Sequence, residues 1–270
     1  MEKIIAGLVQ MDSGPDMNEN MRMAEQYVRE AAEQGAKLIL FPETAEYTGA
    51  DMPGHASAVP GYVSRRFSSL AKRYGVYLHC GSMTVRRHPG RPSNTSFLFG
   101  PDGETIAEYS KIHMFDVNIP GSVSYEESHE ICPGNEIVLA DTALGLFGMS
   151  ICYDIYFPEI LHIPSLRKAD VNICVSAAAK PSAPFFEKIL PARALENVTY
   201  LAFVNNVGPM AGLDMAGESR ALSPLGDEIV RCGDSEEIVR FTADTEELTR
   251  ARSVRRHLSD FRRDIDWNPV

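Results

Sequence analysis

Apolar and polar residues alternate along the chain in two patterns, one typical of buried strands and the other typical of helices with one apolar face. Residues 3–10 form an apolar run of strand length, and residues 36–41 form a second one. Between these runs, apolar side chains recur at intervals of four and three, as on the buried face of a helix. These side chains are Met17, Met21, Ala24, Val28 and Ala31. Gly35 follows them and predicts the end of the helix.

The same alternation continues towards the carboxyl end. Further strands are predicted near 76–83, 94–99, 104–109, 144–151, 171–175, 200–205, 217–223, 227–232 and 236–243. Further helices are predicted near 63–74, 157–167, 184–197 and 244–252. Pro191 is expected to kink or restart the third of these helices. Residues 110–134, with the turn signals Pro120-Gly121 and Pro133-Gly134, predict a long irregular loop, and such loops are usually functional.

Nothing in the sequence divides it into separate parts, since no Pro- or Ser-rich linker, repeat or shift in composition is present. We therefore expect residues 1–270 to form a single α/β domain in which helices pack outside stacked sheets. Residues 250–270 contain six Arg and three Asp. We expect this basic tail to pack on the acidic body of the protein or on a partner subunit.

Composition narrows the classes of partner and site. The net charge of −11 argues against nucleic acid as the main partner, because phosphate binding needs clustered Lys and Arg. No apolar run approaches the roughly 18 residues of a transmembrane helix, and the first residues do not resemble a signal peptide. The five cysteines are widely spaced without a CxxC pair, and the histidines are scattered. We therefore expect a cytoplasmic protein with no disulfide framework, no metal site and no cofactor.

Three segments place a reactive residue just after an apolar strand or at the edge of the long loop. They are LILFPETAEYTG with Glu43, EYSKIHMFDVNIPG with Lys111, and GMSICYDIYFPE with Cys152. Ligands in α/β folds usually bind at the carboxyl ends of strands. Taken singly, each residue has an ordinary structural interpretation. Glu43 is then a solvated carboxylate or helix cap, Lys111 a surface charge, and Cys152 a small buried apolar residue.

Together and in this order, the three segments resemble the signatures of the nitrilase superfamily of carbon–nitrogen hydrolases. The resemblance extends to LVQM near residue 10, RALEN at 193–197 and ESRALSPLG at 218–226, and so spans nearly the whole chain. It implies a four-layer α-β-β-α sandwich and at least a homodimer.

The resemblance also implies a catalytic triad of Glu43, Lys111 and Cys152. A thiolate can attack an amide carbonyl and divide hydrolysis into acylation and deacylation. Lys111 would stabilise the thiolate and then the oxyanion, with the backbone N–H of Tyr153 as a second oxyanion donor. Glu43 would accept the thiol proton, give it to the departing ammonia or amine, and later activate water.

The segment from Lys111 to SYEES is similar to the omega-amidase branch of the superfamily, in which a second glutamate lies near the lysine. This similarity implies that Glu127, with the adjacent Glu126 as the alternative, orients Lys111 and helps to hold substrate or water. The ordinary interpretation of either residue is a loop carboxylate. Asp116 and Asp154 resemble family positions that shape the site.

The expected substrate pocket departs from the family pattern. Many relatives carry Arg at the position of Tyr156, where a guanidinium would pair with a substrate carboxylate. Many also carry a His-Trp pair where this chain has Phe185 and Phe186. Lys180, in the loop after the strand 171–175, either replaces the missing charge or is a solvated loop residue. In the second case the pocket is more apolar and favours an uncharged aliphatic or aromatic amide.

These observations predict an amidase that hydrolyses a small amide to a carboxylic acid and ammonia through a thioester. The nearest alternative is an N-carbamoyl amine or amino-acid hydrolase that uses the same triad. Nitrile hydrolysis is disfavoured because the branch resemblance is to amidases. An inactive interaction scaffold is disfavoured because such a protein has no need of an intact triad.

Overall fold

The computed structural model describes residues 3–87, 89–119 and 123–265. The strands β1–β17 are, in chain order, Ile4–Gln10, Leu38–Leu40, Tyr77–His79, Met83–Val85, Ser93–Phe99, Thr105–Ser110, Asp116–Ile119, Val123–Glu126, Leu139–Thr142, Gly145–Ile151, Val171–Ser176, Tyr200–Asn205, Val207–Met210, Leu213–Ala216, Arg220–Leu222, Glu228–Arg231 and Glu237–Ala243. The helices α1–α6 are Met17–Glu33, Tyr62–Tyr74, Glu127–Glu130, Pro158–Leu166, Ala183–Asn197 and Thr245–Val254. Short 3-10 helices cover Cys152–Tyr156, Lys180–Ser182 and Arg256–Leu258.

Two sheets stack face to face at the centre of the fold. The N-terminal sheet has the order β17-β1-β2-β3-β5-β4, with β6 beside β5, and the C-terminal sheet has the order β16-β15-β12-β11-β10-β9. Their facing side chains form one apolar core, to which Leu8 and Leu40 contribute from one sheet and Met149 and Ile173 from the other. Helices α1 and α2 cover the outer face of the first sheet, and α4 and α5 cover that of the second. The expected four-layer α-β-β-α sandwich is therefore confirmed.

Parallel pairing brings the ends of several strands to one region. Strands β1, β2 and β3 run parallel to one another, as do β10, β11 and β12. Glu43 follows β2, Cys152 follows β10, and Ala177 follows β11. The backbone N–H of Glu43 donates to the carbonyl of Ser176 at 3.3 Å. The carboxyl ends of the parallel strands of both sheets therefore meet at this point.

Local sequence signals set the ends of the first two helices. The side chain of Asp16 accepts hydrogen bonds from the backbone N–H groups of Asn18 and Glu19, at 2.9 and 3.2 Å, and so caps α1. Gly75 ends α2 with a φ of 61°, a left-handed conformation that favours glycine. Both helices that the apolar intervals predict here are confirmed.

The stretch expected to be an irregular loop, residues 110–134, is partly regular. Strands β7 and β8 pair antiparallel within it, and the short helix α3 follows directly. Residues 124–126 are exposed, so β8 carries no alternating apolar face that a periodicity could reveal. The predicted Pro120-Gly121 turn lies outside the described residues.

Other boundaries also differ from the prediction. The strand expected at 76–83 divides into β3 and β4, and the small strands β9, β13 and β14 were not predicted. Helix α5 continues through Pro191 without a restart. Its buried side chains Phe186, Leu190 and Ala194 pack on the C-terminal sheet, and this packing outweighs one missing backbone hydrogen bond.

The described part of the C-terminal tail contacts the body of the protein. The guanidinium of Arg252 donates to the carbonyl of Val198 and to the hydroxyl of Thr199, both at 3.1 Å. The rings of Phe261 and His162 lie 5.3 Å apart. Among the described residues, no helix is long and apolar enough to cross a membrane.

Candidate active site

A buried lysine lies between two buried carboxylates where the sheets meet. Lys111 directly follows β6, and its Nζ lies 3.1 Å from Oε1 of Glu43. The same Nζ lies 3.1 and 2.8 Å from the two carboxylate oxygens of Glu127. Burial alone would lower the pKa of Lys111, but the charges of Glu43 and then Glu127 hold that pKa well above its usual value. Lys111 is therefore a cation in the resting protein.

Glu43 is fixed by groups from three other segments. Its Oε1 also accepts a hydrogen bond from Nδ2 of Asn94 at 2.7 Å, and its Oε2 accepts one from the backbone N–H of Ala177 at 2.9 Å. Its backbone carbonyl accepts a hydrogen bond from Nδ2 of Asn206 at 2.6 Å. The carboxylate is thus held in one orientation before any substrate binds.

The backbone around Glu43 adopts unusual conformations. Thr44 has a φ of 50°, and its N–H donates to the hydroxyl of Ser82 at 3.0 Å. Gly81, with a φ of 71°, lets the neighbouring segment pass close by, since a side-chain carbon there would lie 1.7 Å from the carbonyl oxygen of Pro42. The glycine therefore allows the segment around Gly81 to pack closely against the turn that carries Glu43.

Cys152 begins a 3-10 helix at the end of β10 and has a φ of 48°. Left-handed backbone is costly for a residue other than glycine and is often found at functional sites. Burial, together with the charge of Glu43, raises the pKa of Cys152 to about 12, and Lys111 opposes this rise. The thiol is therefore protonated at neutral pH, and it lies within the electrostatic reach of both Glu43 and Lys111.

Asp154 holds the turn after the thiol. This fully buried carboxylate accepts hydrogen bonds from the hydroxyl of Tyr109 at 2.6 Å and from the backbone N–H of Ile151 at 3.0 Å. It also accepts one from the backbone N–H of His113 at 3.0 Å, and the His113 ring stacks on Phe157 at 3.5 Å. Asp154 thus connects the Lys111 segment to the Cys152 turn.

The neighbouring acidic residues of the hairpin segment have separate positions. Glu127 is buried, and its Oε2 accepts a hydrogen bond from the backbone N–H of Phe115 at 2.7 Å. Glu126 is exposed and lies 2.9 Å from the His129 ring. Asp116 is also exposed, and it accepts a hydrogen bond from the backbone N–H of Ser128 at 2.9 Å. Of the two candidate glutamates, only Glu127 is within hydrogen-bond distance of Lys111.

The remaining predicted site residues divide into two groups. Tyr153 and Tyr156 lie in the 3-10 helix that Cys152 begins, with ring centroids 5.4 Å apart. Lys180 faces Asp214, with 3.8 Å between Nζ and the carboxylate. Phe185 is 60% exposed at the start of α5. The structure thus brings Glu43, Lys111 and Glu127 together beside Cys152, whereas Lys180 and Phe185 are exposed.

Sequence reasoning did not identify Asn94 or Asn206, both of which are buried against Glu43. The only local signal for Asn94 is the polar run SNTS at the start of the otherwise apolar strand β5. Among the described residues, no cluster of His, Cys, Asp or Glu has the arrangement of a metal site.

Comparisons with known proteins cover nearly the whole chain. The sequence model of the carbon–nitrogen hydrolase family matches residues 5–253. Omega-amidase NIT2 of Xenopus tropicalis is 32% identical over 256 residues, which cover 93% of this chain and 92% of that protein. Omega-amidase NIT2 of Homo sapiens is 31% identical over 249 residues, which cover 91% of this chain and 90% of that protein.

Solved structures give the same result. Nit3 of Saccharomyces cerevisiae, a member of branch 10 of the nitrilase superfamily, superimposes with a TM-score of 0.86 at 26% identity over 94% of each chain. A mutant amidase of Nesterenkonia sp. AN1 carries the acetamide moiety of fluoroacetamide at its active site cysteine. It superimposes with a TM-score of 0.80 at 25% identity over 96% of this chain and 97% of that chain.

Proposed function

Since the chain belongs to the carbon–nitrogen hydrolase family, we propose that Glu43, Lys111 and Cys152 carry out its hydrolysis of a small amide. The protein is a cysteine-dependent amidase with omega-amidases among its relatives. The observation that carries the assignment of these residues is the position of Lys111 between two buried carboxylates beside the Cys152 thiol.

In the acylation step, Glu43 takes the thiol proton while Sγ of Cys152 forms a bond to the amide carbon. Lys111 and the backbone N–H of Tyr153 stabilise the resulting oxyanion. The N–H groups in the first turn of a helix have no partner within that helix, so the Tyr153 N–H is suited to this role. Glu43 then gives the proton to the leaving nitrogen, the C–N bond breaks, and ammonia departs from a thioester.

In the deacylation step, Glu43 takes a proton from water, whose oxygen attacks the thioester carbon. The C–S bond breaks, the proton returns to the thiolate, and the carboxylic acid leaves. Glu127 holds the ammonium of Lys111 in place through both steps. Because burial and the charge of Glu43 raise the pKa of Cys152, the resting thiol depends on Glu43 as its base.

Three further assignments belong to this proposal. An N-carbamoyl compound would release its amine and form a carbamoyl thioester on Cys152, whose hydrolysis gives carbon dioxide and ammonia, so the ureido substrates stay the alternative. The whole chain acts as one catalytic domain, and its assembly is at least a homodimer. The cytoplasmic location stays a prediction from the cysteine pattern.

The proposed chemistry is tested by the intact mass of the protein during turnover of simple amides, ureido compounds and nitriles. We expect the mass to increase by that of the acyl group less one hydrogen. In Cys152→Ala we expect neither the mass increase nor any turnover. Glu43→Gln is expected to lose acylation because no base removes the thiol proton. Cys132→Ala, which removes another partly exposed cysteine, is the matched control and keeps full activity. Normal turnover by Cys152→Ala would refute the proposal.

A further inference from the structure

Four partly exposed aromatic side chains border the proposed catalytic residues, and we call them the aromatic wall. They are Phe115, Tyr125, Tyr153 and Tyr156. The ring centroid of Tyr153 lies 5.3 Å from that of Phe115 and 5.4 Å from that of Tyr156. Three of the four rings thus form one continuous surface.

The aromatic wall is attached to the catalytic residues at several points. The backbone N–H of Phe115 donates to Glu127, and Tyr153 and Tyr156 share the 3-10 helix of Cys152. Burial, together with the charge of Glu127, raises the pKa of Tyr125 to about 12. Burial also raises the pKa of Tyr156, and a thiolate at Cys152 would raise it further. Both hydroxyl groups therefore lie within the electrostatic reach of the site and stay neutral.

These rings remain open to solvent although they are large. Tyr125 is 39% exposed and Tyr156 is 36% exposed. Exposed aromatic surface that is contiguous and adjoins a nucleophile is typical of a binding pocket for apolar groups. The wall therefore offers ring faces to the acyl part of a substrate.

The catalytic residues themselves leave no positive charge for a substrate anion. Lys111 is held by Glu43 and Glu127, so the formal charge of this group is −1. A carboxylate that entered beside these two residues would lose water and meet like charges.

Three cations on or just before α5 are paired with other groups or exposed on its outer side. Arg193 donates to the backbone carbonyls of Ile155 and Tyr156, and it also pairs with Glu196 at 2.7 Å. Lys188 is exposed on the side of α5 opposite the buried Phe186. Lys180, as described above, faces Asp214.

We infer that the substrate is an uncharged amide whose apolar or aromatic acyl group rests against the aromatic wall. The inference depends on the proposed amidase function of Cys152 and specifies the class of amide. It distinguishes this chain from any amidase that binds a carboxylate at the far end of its substrate.

The test compares kcat/KM for a charged amide and for uncharged amides of related shape. Pentanamide and glutaramate share one carbon chain, the methyl ester of glutaramate removes its charge, and phenylacetamide adds a ring. We expect pentanamide and phenylacetamide to exceed glutaramate by at least about tenfold, since a carboxylate is costly to desolvate without a partner. The methyl ester is expected to resemble pentanamide.

Two variants locate the effect at the aromatic wall. Tyr156→Arg is expected to raise the ratio of glutaramate to pentanamide turnover by about tenfold or more, because it adds a guanidinium beside the thiol. Tyr62→Arg adds the same charge at a tyrosine of α2 that is 47% exposed and is expected to leave the ratio unchanged. Tyr156→Phe is expected to keep the preference for uncharged amides.

The intact mass of the acylated protein distinguishes the possible failures. If Cys152 is acylated but glutaramate is turned over as well as or better than pentanamide, the inference is wrong and the proposed function stands. Loss of glutaramate turnover in Lys180→Met would then show that Lys180 binds the substrate carboxylate. If no amide of either class acylates Cys152, the proposed function and the inference fail together.

Discussion

At the scale of single residues, Asn94 contacts both of the residues that we propose to act on the Cys152 thiol. Its side chain donates to Oε1 of Glu43, and its backbone carbonyl accepts the N–H of Lys111 at 2.9 Å. Asn94→Ala is expected to lower kcat by about 10- to 100-fold, since hydrogen bonds to charged groups contribute about 1.5–3 kcal/mol. The measurement is steady-state kinetics, in which KM is expected to change by less than about threefold because the buried Asn94 side chain acts through Glu43.

A positioning role for Asn94 also predicts a change in the pH profile. Asn94→Asp places a second carboxylate beside Glu43, which raises the pKa of the base and moves the acidic limb of kcat to higher pH. Asn172→Ala is the matched control, since Asn172 is equally buried and donates to Ser165 at 2.9 Å. It is expected to lower the melting temperature and leave the pH profile unmoved. An unchanged profile in Asn94→Asp would rule out this role.

Glu46 predicts a pH dependence of stability. It is almost fully buried, and burial raises its pKa to about 8, against hydrogen bonds such as that from the N–H of Thr84 at 2.6 Å. Its neutral form stabilises the fold fully below pH 4.5, and this stability is lost as the pH rises towards 8. Glu46→Gln is therefore expected to increase the free energy of unfolding at pH 7 by roughly 1–3 kcal/mol, and hardly at pH 4.5.

The opposite sign is expected at Glu187, whose pKa Arg231 lowers to about 2. Its stabilising effect is present above its ordinary pKa of 4.5 and is lost as the pH falls towards 2. Glu187→Gln is therefore expected to lower the melting temperature at pH 7, where Glu46→Gln raises it. Thermal unfolding across this pH range checks both, and equal responses would contradict both assignments.

The residues of the site differ in how well the sequence alone identifies them. Glu43, Lys111, Glu127 and Cys152 each lie in a recognisable motif, and the structure places them in one group. Asn94 lies in no such motif, because its role depends on a contact between residues 51 positions apart. Such contacts arise from strand pairing, which local patterns do not encode.

At the scale of secondary structure, predictability follows burial. Helices α1 and α2 and strands β10–β12 carry regular apolar patterns, and all were predicted with small errors at their ends. The hairpin β7–β8 is held by backbone pairing between mostly exposed residues, so its side chains show no period. This hairpin leads directly into Glu127. The sequence therefore predicted a functional segment here but did not predict that the segment forms a hairpin.

An ion-pair network joins α5 to the edge of the C-terminal sheet. Arg220 in β15 is 2% exposed and lies 2.7 Å from both Glu187 in α5 and Glu218. Arg220→Ala is expected to decrease the free energy of unfolding by about 2–4 kcal/mol, since it leaves a cavity and unpaired carboxylates. Denaturant unfolding measures this loss.

The same network supplies its own control. Arg231 contacts Glu187 at 2.8 Å but is 32% exposed, so Arg231→Ala is expected to cost less than about 1 kcal/mol. Arg220→Lys is expected to recover only part of the stability, because an ammonium cannot bind two carboxylates with the fixed fork of a guanidinium. Equal losses in the two alanine variants would show that burial does not set the strength of this network.

At the scale of the whole molecule, the acidic balance of the sequence is not offset near the site. The net charge is −11, and Arg252 of the basic tail contacts residues just before β12, at the opposite end of that strand from the site. Arg252 donates to Val198 and Thr199, and Arg256 lies 3.5 Å from Asp260. The negative potential of the body therefore adds to the formal charge of −1 at the catalytic group.

This potential predicts a salt effect that depends on the charge of the substrate. An anionic amide is depleted near an acidic protein, and salt screens the repulsion, so kcat/KM for glutaramate is expected to rise about two- to fivefold between about 20 mM and about 500 mM NaCl. The rise in kcat/KM is expected to come from a lower KM and not from a higher kcat, because the chemical step at the buried site is shielded from added ions. Pentanamide is the internal control and is expected to show no dependence on salt. A decrease in kcat/KM for glutaramate with added salt would instead indicate that cations attract it on its way to the thiol. That result would also contradict the inferred preference for an uncharged substrate.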